Sequence, residues 1–392
     1  MQYRNAKNND PISLLGYGCM RFTKNGSTID LEKAEQEILS AISQGVNYFD
    51  TAYIYPGSEV ALGSILTNNH LREQVKIATK LPQYLIKSAT SIERYFQEQL
   101  NRLQTDYIDF YLMHMITDIA SWNKLIKLGI LEWIQEKKAS GQIKQLGFSY
   151  HGNTEMFLQI LEAYDWDFCQ IQYNYMDEHS QAGRKGLERA YALHIPVIIM
   201  EPLRGGRLAT YLPSTAQQLI ENHPRGYSAA EWSFRWIMEQ HGVMTVLSGM
   251  NSLAMVEENV RIASQVAFNE FTQEDHQLIT DVKTAIQQLV KVNCTGCGYC
   301  LPCVKHVDIP GVFRCYNTIY ADGKRKALRE YIQTTLLRKE SSSASHCIRC
   351  GKCVPHCPQG IDIPQELKAA SKHLDTFYMR IIRIGIRIFK VW

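Results

Sequence analysis

At 392 residues the chain is long for one domain and fits one large unit with one small one. Its 45% hydrophobic content is enough for a packed core and argues against disorder. The net charge is only +3, and it is uneven: Gln365–Trp392 carries Lys368, Lys372, Arg380, Arg383, Arg387 and Lys390 against Glu366 and Asp375, a balance of +4 that leaves the rest at −1. That is not the broad basic face of a nucleic-acid reader, so nucleic acid is set aside as a partner. The polar stretch Met1–Pro11 does not read as a signal peptide, and no run of roughly 18 apolar residues suggests a membrane span, so a cytoplasmic location is expected.

From Ser13 to about Ala267 short apolar runs alternate with longer amphipathic ones. Strand-like runs lie near Leu15 and Tyr48 and at Val75–Thr79, Ile108–Met113, Gln145–Phe148, Phe168–Gln172, Pro196–Met200 and Met244–Leu247. Helical periodicity covers Leu31–Ser43, Ser91–Leu103, Lys124–Lys138, Thr154–Ala163, Gly183–Leu193, Ala229–Glu239 and Leu253–Ser264. Strand followed by helix, repeated about eight times, predicts a (β/α)8 barrel of the α/β class. Phe271–Val292 reads as one more helix, N-capped by Thr272, that bridges to a cysteine-rich part in which Ser341–Ser345 looks polar and flexible. The loops Thr117–Leu125 and Arg207–Arg225 carry no recognition pattern. The expected division is a barrel with its bridging helix over 1–290, a ferredoxin-like domain over 291–366 and a basic tail over 367–392.

The stretch Asn47–Glu59 organises the barrel. A short strand breaks at Asp50, and Tyr55 follows five residues later, ahead of Pro56 and Gly57, which stop strand or helix from continuing. Lys80 and His114 also stand just past strand-like runs, the position where barrel enzymes gather active residues. A tyrosine, with an ordinary pKa of about 10, is a poor acid at neutral pH unless a cation favours its ionised form. Lys80 is placed to supply that cation, Asp50 to orient it, and His114 to donate a hydrogen bond to a substrate oxygen.

Asp50, Tyr55, Lys80 and His114 resemble the catalytic tetrad of the aldo/keto reductase superfamily. The resemblance runs from about Leu14 to Arg261 and includes Gly16–Phe22, Leu146–Ser149, Gln170–Asn174 and Met200–Leu203. It is greatest to the branch with a ferredoxin-like extension. It implies an NAD(P)H-dependent interconversion of a carbonyl and an alcohol, with Tyr55 as general acid. It also implies nicotinamide contacts at Ser149 and Gln170, with Met20, Met200, Glu201 and Leu203 lining the site. Ser248, Gly249, Glu258 and Asn259 would then meet the adenosine end. Met200 stands where relatives often have a stacking tyrosine, and Tyr150-His151 replaces an asparagine. Relatives that use NADPH hold the 2′-phosphate with Lys or Arg where this chain has Gly249 and Met255. That favours NADH, with Arg21 and Arg261 the basic residues able to reverse it.

Eight of the eleven cysteines fall in two groups, Cys294, Cys297, Cys300 and Cys303, and Cys347, Cys350, Cys353 and Cys357. The second group matches the bacterial ferredoxin run, in which three cysteines hold one [4Fe–4S] cluster and the fourth holds the other. Two-residue spacing lets one loop wrap three corners of a cube, and the fourth corner needs a thiolate from elsewhere. The expected sets are Cys294, Cys297, Cys300 and Cys357, and Cys347, Cys350, Cys353 and Cys303. Zinc is the competing reading of C-x2-C pairs. Cys19, Cys169 and Cys315 read as structural.

Two roles for the clusters stay open: electron exchange with a ferredoxin-like partner, or a bracing or sensory part. The whole chain also has rival readings, as an electron-transfer protein without carbonyl chemistry or as a regulatory nucleotide-binding subunit. In the tail, Arg380, Arg383, Arg387 and Lys390 share one narrow arc of a helix. That pattern fits peripheral membrane contact, a docking helix, or a helix packed on the barrel.

Overall fold

Eight runs rich in β-branched and aromatic residues become the strands of a closed parallel barrel in the computed structural model, which describes residues 1–321, 323–336, 341–379 and 382. They are β1 (Leu15–Gly18), β2 (Tyr48–Asp50), β3 (Lys76–Leu81), β4 (Ile108–Ile116), β5 (Ile143–Tyr150), β6 (Phe168–Gln172), β7 (Val197–Met200) and β8 (Val243–Ser248). They pair in chain order, and β8 closes on β1. A strand covered on both faces should be apolar throughout, and β4 is buried along nearly its whole length.

Parallel neighbours need crossovers, and amphipathic helices supply them. Helix α1 (Leu31–Ser43) starts where the Asp30 side chain accepts a hydrogen bond from the Lys33 amide, and it buries Ala34, Glu37, Ile38 and Ala41, the i, i+3, i+4, i+7 stripe of a helix face. Burial of a side chain such as Ile38 contributes about 1.5–3 kcal/mol. Next come α2 (Ser58–Asn68), α3 (Ala89–Leu103), α4 (Ile119–Lys127), α5 (Ile130–Ala139), α6 (Thr154–Glu162) and α7 (Gly183–Ala192). The run expected as one helix over Lys124–Lys138 is two. Gly129, at φ +82°, takes the left-handed conformation that ends α4 and starts α5.

A hairpin of Tyr3–Asn5 and Pro11–Ser13 precedes the barrel. Its Ala6 and Ile12 join Tyr48, Phe110, Phe168 and Met244 in one apolar cluster, stopping the end at which the strands begin. Three-residue strands are too short for periodicity to reveal.

By compactness Met1–Pro202 and Glu231–Glu270 form one unit, and Leu203–Ala230 with the chain from Phe271 onward forms the other. The first unit also holds most of α9 (Ala229–Met238) and all of α10 (Leu253–Gln265). In the second unit α8 (Ser214–Glu221), inside a stretch expected to be loop, packs against α11 (Gln273–Leu289). Thr272 and Asp275 cap α11 reciprocally, as a capping box does. Helices α12 (Ile309–Ala321), α13 (Lys324–Tyr331) and α14 (Ile363–Leu374) bury Val312, Phe313, Tyr331, Leu367 and Leu374 around a second core. The expected boundary at residue 366 falls inside α14.

Ser341–Ser345 is not the flexible stretch that its composition suggests. Ser343 is fully buried. Tyr331 donates to Asp375 at 3.0 Å and accepts the Ala344 amide at 2.8 Å, while Asp375 accepts the Ser345 amide at 2.9 Å. A polar segment with its amides satisfied can be buried at little cost. Arg380, Arg383, Arg387 and Lys390 lie outside the described residues; before them, Met379 joins the second core. No helix among the described residues is long and apolar enough to cross a membrane.

Candidate active site

Four side chains meet where β2, β3 and β4 run out. Asp50 ends β2, Lys80 is next to last in β3, and His114 lies near the end of β4. Tyr55 sits in the turn before α2, where its amide donates to the Ala52 carbonyl at 3.0 Å. Pro56 and the left-handed Gly57 (φ +74°) enforce that turn.

Lys80 and Asp50 are almost wholly buried, and a buried ion pair is favourable only when its remaining valences are satisfied. Here they are. Lys80 Nζ donates to Asp50 Oδ1 at 2.5 Å and to the Thr51 carbonyl at 2.7 Å, and Gln170 Nε2 donates to Asp50 Oδ2 at 2.8 Å. The ammonium lies 5.3 Å from the Tyr55 ring centroid. The Tyr55 and His114 rings meet edge to face with centroids 6.2 Å apart. Burial, then Lys80 and His151, push the His114 pKa well below the usual imidazole range. The ring is therefore neutral and carries one N–H to donate. Its Nδ1 is buried and has no hydrogen-bond partner among the described residues.

Beneath Lys80 lies a polar layer that sequence reading missed. Glu59 accepts from Thr79 at 2.6 Å, Gln99 at 2.8 Å and Arg102 at 3.1 Å, and Gln99 also donates to the Lys80 carbonyl at 3.1 Å. Tyr111 completes it by donating to Gln99 at 2.8 Å. Burial raises the Glu59 pKa, and the Thr79, Gln99 and Arg102 hydrogen bonds oppose that rise. Thr79 beside Lys80 and Glu59 beside Ser58 were visible neighbours; nothing in the spacing marked Gln99. A second buried chain joins His151, Gln181, Gln172 and Asp177.

The expected nicotinamide contacts divide. Gln170 stands opposite Ser149 in the β6–β5 register. Ser149 Oγ accepts the Met115 amide at 2.9 Å, which leaves its proton free to be donated, whereas Gln170 already gives Nε2 to Asp50 and keeps only Oε1 for a ligand. A hydroxyl donor beside an amide acceptor suits a carboxamide. Met200 ends β7 half-buried, Glu201 follows at φ +54°, Met20 is an exposed turn residue, and Leu203 belongs to the second unit. At the other end Asn259 donates to Ser248 at 3.0 Å, and Glu258 sits beside it on α10. A Cβ on Gly249 would meet the Arg21 stem at 3.1 Å, so Arg21 lies over that backbone. Arg261 is held by Glu231 at 2.6 and 3.3 Å.

In the second unit Cys294, Cys297, Cys300 and Cys357 line one small cavity with Phe313, Ile309 and Ile363. Cys303, Cys347 and Cys350 are the neighbours of Cys353. Cys357 thus lines the first group's cavity, and Cys303 neighbours the second group. The loops present amides to sulfur, from Gly296 to Cys294 and from Arg349 to Cys347, each at 3.4 Å. Four thiols around an apolar cavity fit an iron–sulfur cube. Cys19, Cys169 and Cys315 are buried, their thiol pKa values pushed up by that burial.

The aldo/keto reductase family model matches residues 14–284, and the 4Fe-4S dicluster domain model matches residues 293–361. The chain is 24% identical over 288 residues to the uncharacterized oxidoreductase YqkF of Bacillus subtilis (strain 168), covering 64% of this chain and 88% of that protein. An aldo-keto reductase from Bacillus halodurans in its holo form superposes with a TM-score of 0.60 at 25% identity, covering 72% of this chain and 96% of that one. The fold is also that of an aldo-keto reductase from Klebsiella pneumoniae in complex with NADPH, at a TM-score of 0.57 and 24% identity over 71% of this chain and 93% of that one.

Proposed function

Because the chain belongs to the aldo/keto reductase family of oxidoreductases, we propose that it interconverts a small carbonyl compound and its alcohol with Tyr55 as the general acid. The observation that carries this is the buried Asp50–Lys80 pair held under the Tyr55 ring with His114 at its edge. A bound reduced nicotinamide supplies the hydride that reaches the carbonyl carbon. Ser149 and Gln170 Oε1 would hold the carboxamide and so fix which ring face points at the substrate. Neutral His114 donates a hydrogen bond to the carbonyl oxygen. The Tyr55 hydroxyl gives that oxygen its proton, and Lys80, fixed by Asp50 and Thr51, stabilises the phenolate left behind.

NADH is the proposed nucleotide. Arg261 is committed to Glu231, and Met255 offers a 2′-phosphate no charge. Arg21 is the nearby cation that would support residual NADP(H) use, and Arg21→Ala should lower that use alone.

The C-terminal part carries a 4Fe–4S dicluster domain. We propose two [4Fe–4S] clusters, one on Cys294, Cys297, Cys300 and Cys357 and one on Cys303, Cys347, Cys350 and Cys353, exchanging single electrons with a ferredoxin-like partner; the four-thiol cavity favours this reading.

Tyr55→Phe tests the carbonyl chemistry. Turnover of a simple aldehyde should fall by about 10²–10⁴ with nucleotide affinity unchanged. Undiminished aldehyde reduction overturns it. The electron-transfer reading is tested by anaerobic addition of NADH with paramagnetic resonance; no cluster reduction by either nucleotide or a reduced ferredoxin sinks it.

A further inference from the structure

The two cysteine sets are enclosed to different degrees. The first lies against a core: Ile309, Phe313 and Ile363 line its cavity, Thr295 is buried, and no charged residue stands between Cys294 and Cys300. The second opens outward. Cys350 is the one exposed cysteine of the eleven. Leu301 and Val304 stand on either side of Cys303, Ile348 follows Cys347, and Val354 follows Cys353. All four are exposed, Val304 by 50% and Ile348 by 57%. One such side chain in water is ordinary, but four gathered around a single centre mark a contact surface.

Charge is gathered on the same loops. Lys305, Arg349 and Lys352 are exposed, and among the described residues none of them forms an ion pair. Residues 291–307 and 345–361 contain no Asp or Glu. The next carboxylate along, Asp308, is half-buried and accepts the Gly311 amide at 3.1 Å, at the start of α12. The rim of the second set is therefore apolar and basic, with its cations uncancelled by these loops.

Building on the two-cluster reading above, we propose that this face docks a small acidic one-electron carrier protein. The carrier exchanges its electron with the cluster held by Cys303, Cys347, Cys350 and Cys353. In the reducing direction the carrier loses one electron and that cluster gains it; no bond forms or breaks and no proton moves. The three cations steer an acidic partner to the face, and the apolar side chains exclude water once it arrives. Transfer falls steeply with distance, so the cluster with an exposed ligand is the entry point, and the enclosed one lies behind it.

The experiment uses the full chain with its clusters, kept anaerobic and mixed in stopped flow with a reduced bacterial ferredoxin of net negative charge. Cluster absorbance should bleach at a bimolecular rate that falls as salt is raised. Lys305→Glu combined with Lys352→Glu should lower that rate about tenfold or more and remove most of the salt dependence. Ile348→Ser should slow transfer and keep the salt dependence. Lys33→Glu, a charge reversal on barrel helix α1, should change neither. Iron content and reduction by dithionite should be the same in every variant, which separates a lost surface from a lost cluster. If the double reversal loses iron, the milder pair Lys305→Gln and Lys352→Gln decides in its place.

If dithionite reduces no cluster in the unaltered chain, the two-cluster reading fails and this proposal with it. With reducible clusters, an unchanged ferredoxin rate in the double variant overturns the docking face alone, as does an equal loss in Lys33→Glu. A dimer in sedimentation that Ile348→Ser abolishes, with ferredoxin transfer unaffected, gives the face to a second copy of the chain and also overturns the proposal.

Discussion

The two charged clusters in this chain are built on opposite plans. Around Tyr55 each buried charge is answered inside the protein: Lys80 by Asp50, Asp50 by Gln170, Glu59 by Arg102. Around the second unit's cavity the arginines reach neutral oxygens: Arg204 donates to Asn293 Oδ1 and Arg207 to the Cys294 carbonyl. The first arrangement is finished by folding, so its geometry is fixed before a substrate arrives, which is what electrostatic preorganisation requires. The second is held through neutral oxygens, which fix a guanidinium in place without bringing an opposite charge of their own. A charge cluster can thus be read for whether its acceptors cancel the charge or only position it.

The comparison breaks most visibly on removing iron. If the second unit depends on what its eight thiols hold, anaerobic chelation should abolish its cooperative unfolding, an effect on the order of 10 kcal/mol by analogy with structural zinc sites. Calorimetry should show the barrel transition surviving; its loss at the same chelator concentration would mean that the barrel is not self-sufficient. Next in size is Lys80→Met, which leaves Asp50 buried without its cation. We expect a loss of about 3–5 kcal/mol in denaturant unfolding and loss of turnover. A cost under about 1 kcal/mol would show that Gln170 alone satisfies Asp50.

His151 sharpens the same point through pH. Burial pushes its pKa down to about 4, against an ordinary value of 6.5, and its hydrogen bond to Gln181 opposes that shift. Between those values the unfolded chain binds a proton that the folded one does not. Stability is therefore full above pH 6.5 and is lost as pH falls towards 4, by about 3 kcal/mol. His151→Gln should flatten that part of the stability–pH curve; an unchanged slope would move the titration to another group. The smallest effect is Gly129→Ala. Forcing a side chain to φ +82° should cost about 1–2 kcal/mol in thermal or denaturant unfolding, with no change in KM.

Much of the barrel was legible because strand and helix periods differ and each recurs. Leu31–Ser43 and Phe168–Gln172 have the predicted bounds. That Asp50, Tyr55, Lys80 and His114 would meet was legible because strand ends gather at one face of a closed parallel barrel. What stayed hidden was long-range. Gln99 lies on a helix whose pattern gives no hint that its amide reaches Glu59 and the Lys80 carbonyl. Ser341–Ser345 looked solvated because the partners that bury it, Tyr331 and Asp375, are distant in sequence.

The chain leaves the barrel unit at Leu203, contributes α8 to the other unit, and returns at Glu231 before leaving again at Phe271. During synthesis α8 therefore emerges first, and its packing partner α11 follows only after β8 and α10 have been made. At roughly 5–20 residues per second, Ala216 and Ile220 wait seconds for the helix that will cover them. A nascent chain stalled at Glu270 would hold a finished barrel sequence and an unfinished sticky arm. The second unit is thus threaded through the barrel in time as well as in sequence, and no single cut separates the two.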